Sequence, residues 1–160
     1  KVFAHSTRPA ASPYLVVVLV CVGAGVIESL LLSWSSAKIS RELASTEQIR
    51  LFATLYCRGI DRLNPQLIEN SFVEDAQIDV PNLAETVSPK RFAAEATSLL
   101  SKRFVATQHL LSNHIIRLAD DGKTAVSEIS FKAYHWQKVD GEVVDAGSIG
   151  RYLDRWRLCP

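Results

Sequence analysis

The 160-residue chain contains no methionine and begins at Lys1. Its numbering is therefore expected to start inside a longer reading frame or after processing. Cysteine is sparse: Cys21, Cys57 and Cys159 form no CxxC pair and no even set, which argues against a structural zinc and against a disulfide scaffold. Charge of one sign is missing too. Eighteen lysines and arginines face 17 acids, for a formal net charge of +1, and the basic residues are scattered, so nothing calls for nucleic acid or an acidic partner. There is no glycine-rich phosphate loop and no G-x-S-x-G turn. What is present suits one domain of ordinary size, with too many aromatic and β-branched residues for disorder.

The apolar residues begin early. The run 14–34, from Tyr14 to Trp34, is interrupted by Glu28 and Ser29. A membrane-spanning helix needs about 20 mostly apolar residues, a length reached here only by carrying Glu28. Three readings stand open: a signal-anchor holding the protein to a membrane, a secretory segment cleaved after Ser35-Ser36-Ala37, or a translated segment outside the folded domain of a cytoplasmic protein. Lys1 and Arg8 on one side and Lys38 and Arg41 on the other give no orientation. Cys21 follows Val20 rather than a small residue, against a lipoprotein anchor. Residues 35–45 read as a polar linker. The expected organisation is thus an N-terminal segment with linker over 1–45 and a folded domain over 46–160.

Periodicity predicts a helix over 46–63, with Phe52, Leu55, Tyr56, Gly59, Ile60 and Leu63 on one apolar stripe. Ser45 and Gln48 have the spacing of a capping box, and Asn64-Pro65 stops the helix. A short helix over 65–72 follows, with Asn64 as N-cap and proline in its first turn. Residues 75–80 alternate like a short strand, and 81–87 form a loop. Ser88-Pro89 caps a third helix to about residue 102, with Phe92, Ala96, Leu99 and Leu100 on one face.

The period then changes. Residues 104–119, 123–138 and 142–158 are extended segments joined by Asp120-Asp121-Gly122 and Asp140-Gly141, both of the Asp-Gly hairpin type. Three helices followed by an antiparallel meander predict an α+β domain, with the helices packed against a curved sheet. Gly147-Ser148-Ile149-Gly150 suggests a bend or bulge. In the middle strand Ala125, Ser127, Ile129, Phe131, Ala133 and His135 share one face. In the strand before it, His109 shares a face with Thr107, Leu111, Asn113 and Ile115, and His114 points the other way. Both faces are apolar there, which fits a sheet covered on each side or a bulge that breaks parity.

Asp61, His109 and His135 are the candidates for chemistry. A histidine on an apolar face is more often a hydrogen-bonded core residue than a catalyst. Asp61 lies about 180° from Phe52 on the wheel, opposite the apolar stripe, near a helix C-terminus whose dipole does not favour it. His109 and His114 are spaced to face opposite sides and nothing completes a metal site, so no metal is expected.

The motifs Leu55-Tyr56-Cys57-Arg58-Gly59-Ile60-Asp61-Arg62, Phe72-Val73-Glu74-Asp75-Ala76, Thr107-Gln108-His109-Leu110-Leu111-Ser112-Asn113, Phe131-Lys132-Ala133-Tyr134-His135 and Gly150-Arg151-Tyr152-Leu153-Asp154-Arg155-Trp156 resemble, in this order, the SnoaL-like branch of the nuclear-transport-factor-2-like superfamily. The resemblance covers roughly residues 46 to 156. It implies a cone, a strongly curved antiparallel sheet wrapped around an apolar pocket and closed by three N-terminal helices. It also implies a chemistry without cofactor. Asp61 and His109 fall on the acid–histidine dyad of the dehydrochlorinase relatives, and His109 and His135 on the two pocket histidines of the scytalone dehydratases. Arg58 stands where the dehydratases carry their helix acid. Tyr56, Asn113, Phe131 and Tyr152 are the residues expected to contact substrate.

The resemblance thus implies a cofactor-independent lyase, isomerase or cyclase acting on a small apolar molecule by Asp–His proton abstraction. The alternative is a non-catalytic member of the same fold that binds a small molecule or serves as an assembly subunit. Relatives continue through a hairpin into one more strand, which is missing after Leu158-Cys159-Pro160. The expected consequence is an open edge: either the chain is a fragment, or that edge pairs with another molecule, as in a homo-oligomer.

Overall fold

The computed structural model of the chain describes residues 24–80 and 85–159. It divides into two compact units, Lys1–Arg41 and Glu42–Pro160. Helix α1, Ala24–Asp61, supplies the described part of the first unit and opens the second. The second unit continues with α2 (Pro65–Glu69), α3 (Pro89–Arg103), β1 (Ala106–Leu118), β2 (Thr124–Val139), β3 (Glu142–Asp145) and β4 (Ser148–Arg157).

Residues 35–45 are helical rather than a linker, and Ser45 starts no helix. No glycine or proline stands between residues 26 and 58. Hydroxyls along this stretch bond back to the preceding turn, Ser35 Oγ to the Leu32 carbonyl at 3.0 Å and Thr46 Oγ1 to the Leu43 carbonyl at 2.8 Å, an arrangement a continuing helix tolerates. Residues 14–23 of the expected apolar span 14–34 lie outside the described residues. Among those described, no helix is long and apolar enough to cross a membrane; Glu28, Lys38, Arg41 and Glu42 punctuate α1. A membrane segment finds no support.

The buried stripe of α1 differs from the one periodicity picked out. Ile49, Ala53, Cys57 and Ile60 are buried, whereas Phe52 is 40% and Leu63 41% exposed. The stripe is turned by about a quarter of the wheel, at about 100° per residue. Asp61 stands one turn after Cys57 and so borders the packed face. The helix ends two residues before the expected position because Leu63 adopts φ 51. The Leu63 N–H then reaches the Ile60 carbonyl at 3.1 Å and the Asn64 N–H reaches Gly59 at 2.9 Å, which satisfies the last carbonyls.

Asn64 Oδ1 accepts from the Leu67 N–H at 3.0 Å and caps α2, with Pro65 behind it. Ser88 Oγ does the same for α3, from Arg91 at 3.4 Å. Ile60, Ile68 and Ala93 form the helical core, with Tyr56, Phe72, Phe92, Ala96 and Leu100 packed around it; Leu99, expected on that face, is exposed. The strand expected over 75–80 is reduced to a single bridge between Ile78 and Val87.

β1 and β2 pair antiparallel, and β3 and β4 pair successive parts of the other edge of β2. The expected third strand is broken at Ala146-Gly147. There the Ala146 N–H bonds the His135 carbonyl at 2.8 Å, and Asp145 Oδ1 accepts from the N–H groups of His135 and Gly147 at 3.1 and 2.9 Å. A Cβ on Gly147 would stand 2.2 Å from the Ala133 carbonyl oxygen, so the bend needs glycine. Both Asp-Gly turns form as expected, with positive φ at Gly122, Asp140 and Gly141.

The decisive irregularity is in β1. Asn113 adopts φ 43, and the register passes from Ser112–Ser130 to His114–Ile129. This bulge inverts the alternation. His109 and Leu111 before it and His114 and Ile116 after it are partly buried on one face, while Ile115 turns out and is 55% exposed. His114, expected to point away from His109, is thereby brought to its face. Ala125, Ser127, Ile129 and Ala133 of β2 are buried as the alternation requires. The result is an α+β unit whose helices pack against a curved antiparallel sheet.

Gly59 is where α2 comes closest to α1: an added Cβ would meet Ile68 Cγ1 at 2.8 Å and its backbone nitrogen at 3.0 Å. Alanine improves helix propensity by about 1 kcal/mol, but overpacking of a filled core costs about 1–3 kcal/mol. Gly59→Ala is expected to lower the urea midpoint; a raised midpoint would show that this approach is not a constraint.

Candidate active site

Asp61 ends α1 and His109 lies near the start of β1, so the two meet only through the packing of helix on sheet. Asp61 Oδ1 stands 2.7 Å from His109 Nδ1 and accepts from Thr107 Oγ1 at 3.0 Å, while Oδ2 accepts from the His109 backbone N–H at 2.9 Å. A carboxylate is an acceptor, so Nδ1 carries the imidazole proton and Nε2 keeps its lone pair. The His109 side chain is 7% and that of Asp61 20% exposed. The acid is partly desolvated and fully engaged with β1, which offsets its unfavourable place at a helix C-terminus.

The remaining candidates stand around this pair. His135 faces the His109 ring edge-on at 5.7 Å between centroids and stacks on Phe104 at 4.7 Å. Burial, and then the neighbouring His109, lower its proton affinity, so near neutral pH it is an uncharged donor. Phe131 lies 6.3 Å from His109 and stacks on Tyr152 at 4.3 Å. Gly150 makes room for that ring, since a Cβ there would stand 2.8 Å from Phe131 Cζ. Tyr56 meets Tyr152 edge-on at 5.6 Å and links this wall to Phe72 and Phe92. Asn113 is not brought in: it is exposed at the bulge.

Burial raises the phenols of Tyr56 and Tyr152 above their ordinary range, and burial followed by the Asp61 charge pushes the Cys57 thiol up to about 12. All three stay protonated, and Cys57 is no nucleophile. Among the described residues no group of histidines, cysteines and acids could hold a metal ion.

Two participants escaped sequence reasoning. Thr107 is the second donor to Asp61; its only signal was its shared face with His109. Asp154 sits between Tyr152 and Trp156 on the half-buried side of β4, opposite Ser127, whose Oγ accepts from Trp156 Nε1 at 2.8 Å. Its alternation with two inward aromatic residues was the available clue.

Burial raises the Asp154 carboxyl to about 6, above the roughly 3.9 of an unfolded chain. The native state therefore favours the protonated form, and stability is lost as pH rises from about 4 to about 6, on the order of 2–3 kcal/mol. Asp154→Asn is expected to be more stable than the wild type at pH 7.5 and to converge with it near pH 4. Urea unfolding at the two pH values checks this; a less stable variant at pH 7.5 would mean the ionised form has a stabilising partner.

Comparison with known proteins bears on the fold this site is built on. The chain resembles a nuclear transport factor 2-like superfamily protein from Salmonella enterica serovar Typhimurium, with TM-score 0.60 and 18% identity over 73% of this chain and 83% of that one. It resembles the Kfla4162 protein of Kribbella flavida, with TM-score 0.59 and 20% identity over 70% and 80%. A type 2 hexachlorocyclohexane dehydrochlorinase matches with TM-score 0.54 and 14% identity over 75% and 96%. At such identities the likeness is one of fold. No curated protein sequence matches. The profile of the SnoaL-like domain matches residues 41–160, three quarters of the chain, and the chain belongs to that family.

Proposed function

We propose that the domain over residues 46–160 is a cofactor-independent lyase, isomerase or cyclase that removes a proton from carbon in a small apolar molecule. The observation that carries this is the 2.7 Å contact between Asp61 Oδ1 and His109 Nδ1, with Asp61 held by two further donors from β1. Nε2 of His109 takes the proton as the C–H bond breaks. Asp61 stays ionised, fixes the tautomer and stabilises the imidazolium that forms. The electron pair left on carbon either expels a leaving group or is delocalised into a neighbouring carbonyl, and the uncharged N–H of His135 hydrogen-bonds the developing negative charge. Phe104, Phe131 and Tyr152 supply apolar walls that suit an apolar substrate. The structural likeness to a dehydrochlorinase supports the same class of chemistry.

A second reading, a non-catalytic binding or assembly subunit, draws on a different observation. The aromatic side chains of the interior stack on one another, and neither the 330 Å³ nor the 210 Å³ cavity is lined by the dyad. Ile149 and Leu153, 82% and 75% exposed on the outer row of β4, would serve contact with a second copy. Proton–deuterium exchange of enolisable ketones separates the two. His109→Ala is expected to slow exchange by about 100-fold or more, and Asp61→Asn to slow it while preserving shape. Equal rates in wild type and His109→Ala would remove the histidine as base.

A further inference from the structure

The helices cover one face of the sheet and the other lies open, where Ile115, Val126 and Leu153 are each half exposed or more. On this outer face strand register gathers basic residues that stand far apart in the sequence. Where β1, β2 and β4 run side by side, Arg117, Lys132, Arg151, Arg155 and Arg157 point outward against Glu128 alone. Arg117, Val126 and Arg155 form one cross-strand row, and Ile115, Glu128 and Leu153 form the next. Two strand spacings set Arg117 and Arg155 roughly 10 Å apart at the backbone, and both line a crevice of about 330 Å³. Glu128 lies 3.4 Å from Arg151, and Asp75 holds Arg157. Arg117 and Arg155 have no ionic partner among the described residues.

The opposite sign is concentrated in residues 63–89, which hold five acids and no lysine, arginine or histidine. Glu74, Asp75, Asp79 and Glu85 of this segment are exposed. The two patches are neighbours, because Arg157 at the end of β4 donates from Nη1 to Asp75 Oδ2 at 2.9 Å. A chain of formal net charge +1 thus sets a basic sheet face beside an acidic segment. We propose that the outer face of β1, β2 and β4 docks a second copy of this chain, whose residues 74–79 lie over Arg117 and Arg155. A two-fold rotation satisfies both patches at once: the acids of each copy meet the arginines of the other, and Ile115, Val126 and Leu153 are covered between them. An apolar centre with arginine and a charged rim is the anatomy of a protein interface. One exposed ion pair contributes little, but several arranged by sign exclude like-charged pairings and fix how the copies meet. Sheet face directly on sheet face would set arginine against arginine. The proposal extends the second-copy contact named with the second reading above. It holds with or without catalysis at the dyad, which a measurement of association does not read.

Sedimentation equilibrium of the full chain tests this. At about 50 mM salt the wild type is expected to sediment with the mass of two chains, and at about 0.5 M salt, where screening is several-fold shorter in range, to dissociate measurably. The double variant Arg117→Glu/Arg155→Glu sets acid against acid, and Glu74→Lys/Asp79→Lys sets base against base. Each alone is expected to associate about 100-fold more weakly or worse. An equimolar mixture of the two is expected to recover the mass of two chains, because each reversed patch then meets its opposite; that recovery also shows that both variants fold. A monomeric wild type at about 100 μM chain, association unchanged by salt, self-association of either variant at wild-type strength, or a mixture that stays monomeric would each overturn the proposal. A series of masses beyond two chains would overturn the reciprocal arrangement. A monomeric wild type that binds polyglutamate through Arg117 and Arg155 would overturn self-docking and give the face to a foreign acidic segment.

Discussion

Asp61 joins two parts of the chain that nothing else brings together so directly. Its two oxygens accept three hydrogen bonds from Thr107 and His109, and a carboxylate half removed from water is stable only where donors replace the lost hydration. That requirement sets the height at which the end of α1 meets the start of β1. It also sets the orientation of the His109 ring. Residues that merely filled this corner with apolar atoms would hold helix to sheet, but would leave the imidazole free to rotate and to take either tautomer.

Aromatic contacts spread outward from this anchor. Phe104, His135, His109, Phe131, Tyr152 and Tyr56 form a chain of ring contacts, which then passes to Phe72 and Phe92 in the helical core. The sheet therefore grips the helices through stacked and edge-on rings, whose preferred geometries are few. Small residues make the chain possible. Gly150 lets Phe131 lie flat across β4, Gly59 lets α2 close on α1, and Gly147 lets β3 turn into β4 beside Ala133. Polar groups enter this interior at a cost: Trp156 and Ser127 offset it by pairing, whereas Asp154 shows it as a carboxyl that burial raises to about 6.

Two irregularities in the sheet distribute the polar chemistry. The bulge at Asn113 changes which residues of β1 face inward, so a single strand presents His109 to Asp61 and His114 to Arg50. The bend at Ala146-Gly147 ends the pairing of β3 beside His135 and starts that of β4 beside Ala133. Curvature and the placement of these polar side chains thus arise from the same backbone departures.

Much of this architecture was legible from local pattern. The two Asp-Gly turns, the alternation of β2 from Ala125 to His135, and the caps at Asn64 and Ser88 all depend on neighbours a few residues away, and each formed as expected. The start of α1 differs from the expected one because a capping box is only a permission: with no glycine or proline over residues 26–45, the helix runs through it. The buried stripe of α1 was misjudged because Phe52 and Leu63 satisfy the period as well as Ile49, Ala53 and Cys57 do. Which set turns inward depends on what covers it.

By itself the amino-acid sequence determined the order of helices and strands, the turns between them and the membership of His135 in the inward row of β2. Only the tertiary structure decided that His114 turns inward, that Asp61 borders the packed face of α1, and that it reaches His109. Periodicity records a residue's angle about its own element. The dyad depends on the relation between two elements 48 residues apart, set by bulge, register and core packing that no local window contains.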